Sequence, residues 1–160
     1  DSLPAIAIGM EPPEDGLLSQ KPRDPKEGIL TKQFTLLLFL QGALIAVAVI
    51  RAFYIGLESN AAVASTMAFA TLTLARLFHG FNCRSEKSII SIGLFSNPAS
   101  IGAFILGLLL LTVALFVPGL HSLFSVADLT GQQIGTIIGL ALTPTLVIQV
   151  AKLLLGVKKK

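Results

Sequence analysis

Charge is scarce in this chain, and so are the side chains that build soluble active sites. Only 13% of its 160 residues are charged, about half the roughly 25% of an average soluble domain, which excludes an ordinary water-soluble fold. A single cysteine, Cys83, excludes an internal disulfide, and two histidines leave no ligand set for a transition-metal cluster. Cys83 reads as a free thiol near a membrane interface. The first residues, from Asp1 on, lack both the basic flank and the small-residue cleavage site of a signal peptide. The chain is expected to be a piece of a longer polypeptide. What it has in abundance is apolar surface, with 53% hydrophobic residues and a mean hydropathy of +0.80. The length allows four membrane spans with short connections and leaves no room for a catalytic soluble domain.

The apolar runs predict an all-α, polytopic transmembrane helix bundle made of half of one helix plus four full spans. Residues 1–13 read as the C-terminal half of a spanning helix, stopped by Pro12 and Pro13 after Glu11. Residues 14–32 form a polar loop rich in proline and charge, and Thr31 is placed to cap the next helix. The first full span covers 33–55, with Arg51 beside Phe53 and Tyr54 as an interface anchor and Gly42 with Ala46 as a packing seam. The turn from Gly56 to Asn60 is short, so the second span, 61–81, must return antiparallel beside the first. Residues 82–98 form a second polar connection whose few apolar residues lie against the membrane surface or the bundle. A third span covers 99–117, a connection 118–133, a fourth span 134–155, and a basic tail 156–160.

Lys21, Arg23, Lys26 and Lys32, then Arg84 and Lys87, then Lys152 and Lys158 to Lys160 all fall on one side of this arrangement. The positive-inside rule makes that side cytoplasmic, C-terminus included. The expected location is the cell membrane, as a multi-pass protein.

Between Ala61 and Phe81 there is one charge, Arg76. An arginine deep in a membrane-length helix costs about 2.5–3.5 kcal/mol on insertion scales, so it faces a bundle, a wet cavity or a partner, or else it snorkels to the interface, ~9 Å away at 1.5 Å per residue. Thr73, Arg76, His79 and Cys83 follow three- and four-residue steps and share its face, while Ala61, Ala64, Ala68 and Ala75 offer small surfaces for close helix approach. At the other end of the chain, Pro4 frees the carbonyl four residues before it. A carboxylate beside it, Asp1, is then either a ready oxygen site for a hard cation or an inert chain end.

The run Asp1-Ser2-Leu3-Pro4-Ala5, with Gly9 and Pro12-Pro13, resembles the D-G-L-P-A…G…P-P signature that ends the sixth transmembrane helix of type II P-type cation ATPases, with serine in place of the usual glycine at Ser2. Met67-Ala68-Phe69-Ala70 and Phe81-Asn82-Cys83-Arg84-Ser85-Glu86 are similar to the eighth helix and its exit in calcium pumps of the reticulum and bacterial type. The likeness runs in order through the whole chain, helices six to ten. It implies an enzyme that hydrolyses ATP, with Mg2+, through a phosphorylated aspartate in cytoplasmic domains outside this chain, and that carries Ca2+ as its transported ion. Asp1 matches the sixth-helix calcium ligand. Arg76 falls where two-site pumps have a glutamate that ligates a second calcium, which implies one calcium per cycle with the guanidinium in that ion's place. Proton counter-transport follows if the emptied carboxylate protonates. The implied partners are the lipid bilayer and the remaining transmembrane helices and cytoplasmic domains of the same polypeptide. No nucleic acid is expected, and the short turn at Glu58 to Asn60 leaves little platform for an accessory subunit. Two other classes stay open on the residues alone. One is a fragment of a secondary transporter or channel whose Arg76 binds an anion, and the other is a non-catalytic membrane support module whose Arg76 only pairs with a neighbouring helix.

Overall fold

A computed structural model describes residues 2–13, 28 and 30–157. The expected ligand Asp1, most of the 14–32 loop and Lys158 to Lys160 lie outside the described residues. All regular structure described is helical: α1 (Ser2–Gly9), α2 (Lys32–Leu57), α3 (Ala61–Asn82), α4 (Ile89–Ile92), α5 (Pro98–Phe116), α6 (Pro118–Phe124) and α7 (Gly131–Val157). Four of these, α2, α3, α5 and most of α7, are long and apolar enough to cross a membrane. The expected all-α bundle with four spanning helices is therefore what the chain forms.

Short polar side chains start the helices. Thr31 accepts from the amide of Phe34, Asn60 from Val63 and Asn97 from Ser100, each satisfying a first-turn N–H that has no partner inside its helix. Pro98 occupies the first turn of α5, where its missing N–H costs nothing. At α7 the capping is reciprocal: Thr130 Oγ1 accepts from the Gln133 amide while Gln133 Oε1 accepts from the Thr130 amide. Gly9 ends α1 just before the two prolines. The connection expected after Phe116 is itself partly helical, because Pro118 starts α6, which then stops at Ser125 in a left-handed backbone conformation (φ 51°).

Helix α3 is the post of the bundle. Of its membrane-length stretch 44% is buried, against 11% for α2, 17% for α5 and 28% for α7, so the other helices pack on it and leave their outer faces uncovered by the described residues. Helices α2 and α5 run antiparallel to α3. Helix α7 runs parallel to it, with Gln133 hydrogen-bonded to Ser59 at one end and Gln149 to Asn82 at the other. Ala52, Met67, Ala70, Leu74, Ala75 and Ala141 form the centre of the core, while Phe39, Leu109 and Leu146 point outward, as a hydrocarbon solvent permits.

The small-residue seam of α2 is not where the sequence suggested. Gly42 and Ala46 are both exposed, and the buried small residues are Ala48, Ala52 and Gly56. The turn after α2 is so short that α2 and α3 are forced closest beside it, and the seam therefore begins at Gly56. A Cβ built there would lie 2.6 Å from Ala64 Cα. On α3, Ala64 and Ala75 are fully buried, Ala68 is half-buried and Ala61 is exposed. Gly56→Val is accordingly expected to force the two helices apart and cost about 1–3 kcal/mol, seen as a clear drop in Tm of the detergent-solubilised full-length protein. Gly42→Val, with nothing within 4 Å of its Cβ position, should leave Tm nearly unchanged.

Candidate functional site

The residues that carry chemistry gather along α1 and the second half of α3. Arg76 is exposed. It follows Met67 by nine residues, about two and a half turns, and so lies on the side of α3 opposite the buried Met67, Ala70 and Leu74. Thr73 and His79 flank it half-buried, and Cys83 is exposed further along. The spacing of these four thus places them on the face that the core does not use. Cys83 keeps an open edge, yet burial around its sulfur outweighs the nearby Lys152 charge and pushes the thiol pKa up, so the thiol stays protonated and a poor nucleophile.

Helix α1 packs on α5 and α3. Pro4 and Ile8 face Leu77, Gly80, Phe81 and Phe104 around a small apolar cavity, where Phe81 and Phe104 meet with ring centroids 5.3 Å apart. Ser100 also borders this cavity, and its buried hydroxyl has no hydrogen-bond partner among the described residues. No group of three or more His, Cys, Asp or Glu side chains is placed to hold a metal among the described residues.

Past the end of α1 the structure assembles a cluster that sequence reading missed. Glu11 receives a two-pronged contact from Arg84: Nε donates to Oε2 at 2.8 Å and Nη2 donates to Oε1 at 2.7 Å. Arg84 also donates through Nη1 to the Leu94 carbonyl at 2.9 Å and through Nη2 to Ser96 Oγ at 2.6 Å. Asn97 Nδ2 donates to the Ala7 carbonyl and to Glu11 Oε2, while its Oδ1 caps α5. The Arg84 side chain is wholly buried and that of Glu11 is 17% exposed. Paired charges of this kind are strongly destabilising to break from one side, by about 3–5 kcal/mol, because the survivor is left buried and alone. The sequence showed Arg84 only as one of the basic residues flanking a span. The available signal was an acid and a base at matching ends of two parallel helices.

A second cluster braces the same end. Gln149 of α7 donates from Nε2 to Asn82 Oδ1, and its Oε1 accepts from Ser88 Oγ and from the Ile89 amide. Lys152 Nζ donates to the carbonyls of Asn82 and Ser85, neutralising the negative end of the α3 dipole. At the opposite end Thr66 accepts from the Ala127 amide.

Comparison with known proteins is consistent from end to end. Residues 1–154 match the family model described as "Cation transporting ATPase, C-terminus". A calcium-transporting ATPase of Bacillus subtilis is 41% identical over 148 residues, 91% of this chain. One of Listeria monocytogenes is 38% identical over 154 residues, 95% of this chain. A calcium-transporting ATPase type 2C member 2 of Rattus norvegicus is 27% identical over 96% of this chain. The chain spans 17% of the length of each of these relatives.

The brace is open to a direct check. Gln149→Leu strands the Ser88 hydroxyl, the Ile89 amide and the side-chain oxygen Oδ1 of Asn82 together, and each buried unsatisfied group costs about 1–3 kcal/mol. The Tm of the full-length protein should fall by several degrees, whereas Val150→Leu, at a neighbouring residue that is 55% exposed, should not move it.

Proposed function

The chain belongs to the family of cation-transporting ATPase C-terminal regions, and from that membership we propose that it is the closing membrane segment of a P-type pump that exports calcium from the cytoplasm. The observation that carries this reading is the match over residues 1–154 together with 41% and 38% identity to bacterial calcium-transporting ATPases. Support for the sidedness comes from the way Arg84, Ser85 and Lys152 meet at one end of the bundle. In this reading that basic end is the cytoplasmic one, as the positive-inside rule favours, with the C-terminus inside.

In this reading Asp1 supplies carboxylate oxygens to the calcium ion, a hard cation that takes oxygen ligands. Arg76 sits on the open face of α3 and limits the number of ions. A guanidinium has no acceptor atom to offer a cation, and at 4 Å two like unit charges repel by about 4 kcal/mol at an effective dielectric of 20, a divalent ion by twice that. One calcium per cycle is the consequence, with the arginine charge standing in for a second ion. When the calcium leaves, proton uptake by the emptied Asp1 carboxylate gives counter-transport. ATP and Mg2+ are used in regions of the full-length protein outside this chain, and no residue described here handles them.

The full-length protein in sealed vesicles tests this. Wild type should take up about one calcium per ATP hydrolysed, Asp1→Asn should lower uptake at least tenfold, and Arg76→Glu should raise the calcium bound per phosphorylated enzyme. Calcium movement that ignores both substitutions would place the ion path elsewhere, and uptake without ATP would move the protein to the secondary transporters.

A further inference from the structure

Helix α1 is tied to its neighbours near its C-terminal end. Of its described side chains only Ala7 is buried, while Ile6 and Met10 are 62% and 65% exposed. On the α5 side a gap separates Ile6 and Met10 from Ala99, Gly102, Ala103 and Leu106. Pro12 with Pro13 prevents the helix from extending. Among the hydrogen bonds described, α1 and the segment after it are tied to other elements only through Ala7 and Glu11, and both bonds lead to the cluster of Arg84 and Asn97.

Registry makes this tether matter. Helices α1 and α3 run in the same direction, and Pro4, seven residues before Glu11, faces the same cavity as Leu77, seven residues before Arg84. The Glu11–Arg84 contact and the Pro4–Leu77 approach therefore define one axial setting of the two helices. A slip of one residue would shift α1 by ~1.5 Å against the turn that carries Arg76. A buried two-pronged ion pair is a poor choice if stability alone is wanted, because an apolar pair of the same volume holds helices as well, but its fixed geometry sets distance and angle.

We propose that Glu11, Arg84 and Asn97 form a clamp that sets the axial position of helix α1 against α3 and α5 and thereby sets the cation affinity of the site at the start of α1. All three are positioning residues, since none of them touches the ion. This rests on the pump reading given above.

The test uses the full-length protein in vesicles and measures ATP hydrolysis against free calcium, normalised to the amount of enzyme that can be phosphorylated. Glu11→Gln and Arg84→Lys should each raise the calcium concentration for half-maximal activity about five- to tenfold with the maximal rate per active site held within about twofold. The double variant should be no worse than the more impaired single one, because both remove the same contact. Gln149→Leu, which weakens the same end of the bundle without touching α1, should leave the half-maximal calcium concentration unchanged. Glu11→Asp keeps every charge while shortening the reach, and it carries the measurement if the other two variants fail to accumulate. Variants that lose active enzyme but keep wild-type calcium dependence would overturn the clamp and leave the pump intact. A wild type whose hydrolysis does not respond to calcium would overturn both.

Discussion

Hydrocarbon donates and accepts no hydrogen bonds, and that single constraint distributes most of what is polar in this structure. Hydroxyls within the spans bond the carbonyl four residues back on their own helix: Thr66 to Ala62, Thr112 to Leu108, Thr136 to Gln132 and Thr143 to Gly139. Side chains that bond from one helix to the next gather at the two ends, whereas Thr71 and Thr145 sit within the spans with buried hydroxyls that have no partner among the described residues. The middle of the bundle then has no hydrophobic driving force of its own, since lipid is as apolar as leucine. Close approach decides there, as where Gly56 meets Ala64 and Gly107 meets Leu77. Small residues set how near the helices come, and the polar ends set how they are rotated and how far they slide.

Much of this was legible in the residues. Spans announce themselves by length and apolarity, caps by Thr31, Asn97 and Thr130 before the runs they start, and the family by the Asp1 to Pro13 signature. What the chain could not show was which of several equivalent faces would pack. Gly42 with Ala46 and Ala52 with Gly56 have the same spacing, and only the tight turn that pins the far end of α2 to α3 chooses between them. The Glu11–Arg84 pair was hidden for a similar reason: its members are 73 positions apart, and each alone looks like an ordinary flanking charge. The spacing of Thr73, Arg76, His79 and Cys83 did place them together on one side of α3. The ligand role of Asp1 falls outside the described residues.

Two arginines near one end of the same helix show how little the residue type says by itself. Arg84 is enclosed, its fork spent on a carboxylate, a carbonyl and a hydroxyl. Arg76 stands on the face of α3 that the described helices leave open. The first charge is a fastener whose value lies in geometry, whereas the second is exposed on the side of α3 away from Met67 and Ala70. The difference comes from neighbours supplied by remote parts of the chain.

The parallel docking of α7 on α3 also bears on biosynthesis. Asn82 receives its Gln149 partner from 67 residues further along the chain. A ribosome adding about 5–20 residues per second needs roughly 3–13 s to deliver it. During that interval the exit of α3 lacks the contacts that Gln149 and Lys152 make to Asn82 and Ser85. The newborn helix post is therefore most open to mispairing before α7 arrives, and α7 is the helix that closes that window.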